Sequence, residues 1–237
     1  MFIKKVIIQK EDVDTNSELK ISALLRYLQD VGGAHADELN VGRDELIKNG
    51  NIWVVVKTDL HINRLPLLGD KIEISTHPGK DNGLIFPRFF QVYDKHHNLL
   101  VNVITLWVII NFETRRIIIR PFGNKVFPSE SDPLDLPEPE KIDVIPTSLV
   151  AKRIASHNEV DINNHINNSY YSDYVLDVHD SSFYQTHRVK RLSISYDKEV
   201  HENDVIELYS NKESPEVIFG KVNDHKSFSA FVEYENK

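Results

Sequence analysis

The amino-acid sequence predicts an α+β fold of two similar halves, each an antiparallel sheet packed around one long helix. Three observations carry this expectation. The first is a repeated helix. Leu24, Tyr27, Leu28 and Val31 recur 147 positions later as Tyr171, Tyr174, Val175 and Val178. Both sets follow i, i+3, i+4, i+7, the apolar stripe of an amphipathic helix. The second is a repeated strand. Gly69-Asp70-Lys71-Ile72-Glu73-Ile74 recurs 134 positions later as Asn203-Asp204-Val205-Ile206-Glu207-Leu208, each copy preceded by an alternating segment around Leu60 or Ile194. The third is a proline-rich stretch between the copies. Six of the ten prolines lie between Pro121 and Pro146, among acidic residues. Proline at that density denies the backbone both helix and central-strand pairing. The expected organisation is therefore an N-terminal half over 1–120, an extended linker over 121–147 and a C-terminal half over 148–237.

Within the first half, alternation predicts strands near Phe2–Lys10, Ile52–Asn63, Lys71–His77, Leu84–Asp94, Leu99–Phe112 and Arg116–Arg120. In the second half the strands fall near Leu149–Ala155, His187–Tyr196, Asp204–Ser210, Glu216–Asn223 and Ser227–Glu235. Phe228, Ala230, Val232 and Tyr234 alternate with polar residues, the pattern of a sheet with one buried face.

Composition excludes several function classes. The 237 residues carry 28 Lys and Arg against 36 Asp and Glu, a net charge of −8 that disfavours general nucleic-acid binding. The absence of cysteine rules out disulfides, thiolate-bound metal and a cysteine nucleophile. The opening run MFIKKVIIQK reads as a strand rather than a signal peptide. The most apolar stretch, Val101 to Phe112, is about half a membrane span and is interrupted by Asn102 and Asn111. These features point to a cytoplasmic protein without a membrane span. No G-x-S-x-G elbow, G-x-G-x-x-G loop, Walker sequence or H-E-x-x-H pair is present, so neither a cofactor nor a metal is expected.

The chemistry is expected just before the second helix. From Asp161 to Asn168 the chain holds one histidine and five other polar side chains, next to a helix start. Asp and Asn are common caps there, and the pattern alone leaves a purely structural reading open. The repeat adds an asymmetry. Asp161 and Asn163 have counterparts in Asp14 and Asn16, whereas His165 is matched by Glu18 and Glu199 by Leu65. Only the second half keeps all four polar groups.

The run Asp161-Ile162-Asn163-Asn164-His165-Ile166-Asn167-Asn168 resembles the D-x-N-x-H-x-N-N signature of acyl-acyl carrier protein thioesterases, the plant type and its bacterial relatives. The helix from Leu24 to Ala36, the Trp53 strand, and the Pro66, Gly69, Asp70 turn resemble that family in the same order. The resemblance implies a tandem double hotdog with a catalytic C-terminal half and a substrate-binding N-terminal half. It implies catalytic Asp161, Asn163, His165 and Glu199. Plant members often carry cysteine after this glutamate. Here Val200 stands there, which leaves carboxylate- and histidine-assisted attack by water.

The implied reaction is hydrolysis of fatty acyl-carrier protein. Glu199 is the first choice of base, His165 shares or orients, Asp161 orients or is a second base, and Asn163 donates to the thioester carbonyl or the water. Backbone N–H groups near Asn167 and Asn168 are expected to complete an oxyanion site. The acyl chain is expected along the first helix and the Trp53 and Trp107 strands. The implied partner is an acidic acyl carrier protein, met by a basic patch of Lys152, Arg153, His187, Arg188, Lys190 and Arg191. A further homodimer is compatible with this arrangement. Two alternatives remain at this point: an acyl-CoA thioesterase, and a non-catalytic acyl-binding hotdog protein.

Overall fold

In the computed structural model the described residues are 1–122, 129, 139, 142 and 144–237. Most of the expected proline-rich linker lies outside them. The first half contains β1 (Phe2–Ile7), α1 (Ile21–Glu38), α2 (Arg43–Ile47), β2 (Asn51–Ile62), β3 (Lys71–Pro78), β4 (Phe86–Tyr93) and β5 (Leu99–Asn111). The second contains β6 (Ser148–Ile154), α3 (Tyr170–Leu176), α4 (Phe183–Thr186), β7 (His187–Tyr196), β8 (Val205–Ser210), β9 (Glu216–Val222) and β10 (His225–Asn236).

All ten strands form one antiparallel sheet in the order β1-β3-β4-β5-β2-β7-β10-β9-β8-β6. The halves meet where β2 pairs with β7, and the Asp59–Ser193 pair lies at the middle of that register. Asp59 and Ser193 are themselves related by the 134-residue repeat, so an approximate two-fold axis passes through the seam. Leu24, Leu28 and Val31 of α1 share one core with Tyr171, Tyr174 and Val175 of α3. Burying such side chains stabilises by roughly 1.5–3 kcal/mol each relative to exposure, and here the gain is common to both halves. This is the α+β arrangement of two similar halves expected from the repeat, and the double hotdog that the resemblance implies.

The duplication extends to single hydrogen bonds. Ile8 N–H bonds Asp70 O at 3.0 Å, and Ala155 N–H bonds Asp204 O at 3.0 Å. Leu19 N–H bonds Pro66 O at 2.8 Å, and Ile166 N–H bonds Val200 O at 2.8 Å. Tyr27 hydroxyl donates to Asp12 at 2.5 Å, and Tyr174 hydroxyl donates to Glu159 at 2.8 Å. Positive φ recurs at Gly69 (81°) and Asn203 (68°), where each turn leads into β3 or β8. Glycine and asparagine are the residues that adopt this conformation most readily.

Two expectations are corrected. Arg116–Arg120 is not a strand. The chain turns tightly after β5, makes one isolated bridge between Ile117 and Ile110, and then leaves the sheet. Asn111 drives that turn, accepting Thr114 N–H on its side chain at 2.9 Å and Arg115 N–H on its carbonyl at 2.9 Å. The second helix is also shorter than its counterpart, seven residues against eighteen, and Val178 lies beyond its end. Tertiary contacts override the helical stripe there. His179 reaches Glu216 of β9 at 2.6 Å and stacks on Phe183. Asp180 then captures the N–H groups of Ser182 and Phe183.

Candidate active site

The loop from Val160 to Ile166 is closed by a bridge between those two residues. Within it Asp161 Oδ1 accepts the Asn163 N–H at 2.8 Å, while Asp161 N–H donates to His165 O at 2.9 Å. Asn164 takes the tip at φ 64°. The same loop exists around Asp14, Asn16 and Ser17 in the first half. Asp161 and Asn163 therefore shape their loop as Asp14 and Asn16 shape the other, and His165 is what distinguishes the second half.

Asp161, Asn163, His165 and Glu199 all line one open cleft of about 1270 Å³. His165 Nε2 lies 3.7 Å from Glu199 Oε1 and its Nδ1 lies 3.9 Å from Asp161 Oδ1. The firmer contact of Nδ1 is with Ile166 O, at 3.1 Å. If Nδ1 donates to that carbonyl, a neutral imidazole keeps Nε2 as an acceptor facing the cleft. Glu199 follows β7 in a segment held by three hydrogen bonds. Asp197 and Lys198 donate to Ser227 O at 2.9 and 3.0 Å, and Val200 N–H donates to the Tyr171 hydroxyl at 3.2 Å. Burial pushes the Tyr171 phenol up, so it stays neutral at physiological pH.

Sequence reasoning missed Arg115. It sits in the turn after β5, at φ 57°, and its guanidinium forms an ion pair with Glu199 across the two halves. No motif signals it. The pairing joins positions 84 residues apart and exists only because the halves fold together.

Two expectations about this region change. The Asn167 N–H does not face a substrate, because it donates to Glu159 O at 2.8 Å. The expected basic patch is dispersed. Lys152 and Arg153 lie on β6 and the other members on or at β7, with β8, β9 and β10 between them. Lys152 pairs with Glu207, Arg153 with Asp177, Arg188 with Glu235, and buried Arg191 with Asp59.

A second, apolar cavity of about 210 Å³ runs between α1 and the first-half sheet. Leu25, Leu28, Val55, Phe86, Phe90, Trp53 and Trp107 line it. Gln29, Gly33, Trp53, Trp107, Asn168 and Tyr196 border both cavities, so the apolar tunnel opens onto the polar cleft. Among the described residues no cluster of three or more His, Cys, Asp or Glu is arranged to hold a metal ion. No described helix is long and apolar enough to cross a membrane.

Residues 1–120 match the model of the acyl-ACP thioesterase N-terminal domain, and residues 151–231 match that of the C-terminal domain. The chain belongs to the acyl-ACP thioesterase family. A chloroplastic dodecanoyl-[acyl-carrier-protein] hydrolase of Cinnamomum camphora is 25% identical over 87% of this chain and 58% of its own length. An oleoyl-acyl carrier protein thioesterase of Coriandrum sativum is 25% identical over 90% of this chain and 62% of its own. This family member thus spans less than two thirds of those curated relatives. Among solved structures, an acyl-ACP thioesterase from Bacteroides thetaiotaomicron superposes with TM-score 0.91 at 24% identity, covering 98% of this chain and 97% of that one. The 12:0-ACP thioesterase of Umbellularia californica superposes with TM-score 0.83 at 21% identity, covering 100% and 97%. These likenesses establish the same fold.

Proposed function

We propose that this chain hydrolyses fatty acyl-acyl carrier protein to a free fatty acid and the carrier thiol, in the cytoplasm. The observation that carries the reading is the junction of the two cavities. An apolar tunnel suited to an acyl chain opens where His165 and Glu199 face each other across 3.7 Å. A water molecule in the cleft, hydrogen-bonded to both, can lose a proton to Glu199 as its oxygen adds to the thioester carbonyl carbon. The carbonyl electron pair moves onto oxygen, where the Asn163 amide can donate. Collapse of that adduct breaks the carbon–sulfur bond, and the leaving thiolate takes the proton back through Glu199 or His165. Asp161 keeps the loop in the shape that presents Asn163 and His165.

Acidic carrier protein is favoured over coenzyme A as the donor by the segment that follows Arg115 of the cleft. Arg116 and Arg120 are exposed without a carboxylate partner among the described residues, beside exposed Ile117 and Ile119. Basic and apolar side chains together suit an acidic, amphipathic partner. The division of labour between the 1–120 and 148–237 halves follows: the first supplies the tunnel and the second the polar groups. A further homodimer is checked by sedimentation.

The test is thiol release from a panel of acyl-carrier proteins. Rapid release is expected, with losses of about a hundredfold or more in His165→Ala and in Glu199→Ala. Full activity in both variants would remove the site. Release from acyl-CoA alone would replace the substrate class, and binding without turnover would make the protein a non-catalytic acyl-binding protein.

A further inference from the structure

Two arginines line the apolar tunnel: Arg43, exposed, near Asp44 and shared with the polar cleft, and one that is buried. The buried one is Arg88 of β4, only 8% exposed. Its Nη1 lies 3.1 Å from His35 Nδ1 and 3.3 Å from Thr76 Oγ1, and it has no carboxylate partner among the described residues. Because the guanidinium can only donate, His35 Nδ1 must accept, which makes His35 the neutral tautomer. The neighbour therefore does not neutralise the charge; it merely satisfies one N–H. Burial lowers the Arg88 pKa only to about 10, so it is a cation at physiological pH. Room for it is built in. A Cβ at Gly32 of α1 would lie 3.4 Å from Arg88 Cδ and 3.1 Å from Phe90 Cζ, so the helix closes on this strand through a glycine.

A buried cation without a counter-charge is unfavourable unless something supplies acceptors. A plain hydrocarbon chain packed against Arg88 removes its last access to water and offers none. A chain bearing an oxygen at that depth returns a charge-assisted hydrogen bond. We propose that Arg88 makes this tunnel selective for oxygenated acyl chains, whose hydroxyl, oxo or carboxylate oxygen meets the guanidinium, over unsubstituted chains of equal length. The proposal rests on the reading of the tunnel as an acyl site.

Both tryptophans of the chain, Trp53 and Trp107, line the tunnel, so intrinsic fluorescence reports its occupancy without turnover. The probes are amide analogues of acyl-pantetheine, which are not hydrolysed. Saturated chains of increasing length would be compared with the same chains ending in a hydroxyl. At the length that reaches Arg88 the hydroxylated chain is expected to bind about tenfold more tightly or better, the scale of a hydrogen bond to a charged group. The preference should vanish in Arg88→Met and persist in part in Arg88→Lys, with thermal melts confirming that both variants fold. Equal binding of both series at every length, or an unchanged ratio in Arg88→Met, overturns the proposal. Rejection of all chains beyond one length, hydroxylated or not, makes Arg88 a length stop and also overturns it. Failure of every analogue to bind would instead remove the acyl reading of the tunnel, and this proposal with it.

Discussion

The carboxylate of Glu199 meets a cation that comes from the opposite half of the chain. Arg115 holds it by an ion pair, and His165 waits 3.7 Å away. A partly exposed ion pair is worth little for stability, on the order of 0–1 kcal/mol. Its value lies in restricting where the carboxylate points. Arg115→Gln is therefore expected to leave the melting temperature nearly unchanged while lowering kcat by about tenfold with a smaller change in KM, as for a group that positions a base. Steady-state kinetics beside a thermal melt checks both parts. A large drop in melting temperature would instead give Arg115 a structural role.

Helices α1 and α3 press against one another through a polar contact as well as an apolar one. Burial raises the Asp173 carboxyl pKa, against a hydrogen bond from Ser22 and the charges of Arg26 and Arg153. A carboxyl with a raised folded pKa opposes folding while ionised, and the penalty is relieved as pH falls through that value. Asp173→Asn is expected to raise the melting temperature at neutral pH, with the advantage shrinking on acidification. Melts of both proteins along a pH series decide it; an advantage independent of pH would remove the titration argument. The unequal lengths of α1 and α3 belong to the same interface. The stripe through Tyr171, Tyr174 and Val175 was legible because burial of one face imposes a helical period. The stop at Leu176 was not, because it follows from His179 turning to Glu216, a residue 37 positions away.

One continuous sheet joins the halves, and its seam carries a buried ion pair. Asp59 is fully buried and accepts from Arg191 Nε at 3.1 Å and Nη2 at 2.9 Å. Burial alone would raise the Asp59 pKa, but His61 and Arg191 together hold it below the ordinary carboxylate value. A depressed folded pKa contributes stability that is present above the unfolded value of about 3.9 and lost as pH falls through the folded one. Acid unfolding should accordingly steepen below about pH 4. Arg191→Met, which strands the carboxylate, is expected to cost about 3–5 kcal/mol in denaturant unfolding. The double variant Asp59→Leu with Arg191→Met should recover most of that loss. Failure to recover would mean that the pair does more than neutralise itself.

The duplication and most of the elements could be read from the chain because they obey local rules, whereas Asp161, Asn163, His165 and Glu199 were singled out together only through the family resemblance. Helical and strand periods, turn chemistry and a short motif all act over a few neighbouring residues. Arg115 against Glu199, Arg191 against Asp59 and Arg88 inside the tunnel could not. Each is a charge whose meaning depends on what faces it across the fold, and nothing in a sequence distinguishes a solvated arginine from a buried one. Closing the ten strands into one sheet brings those partners together and excludes water from two of them. The dielectric consequence of that closure is what turns ordinary surface residue types into structural and binding groups.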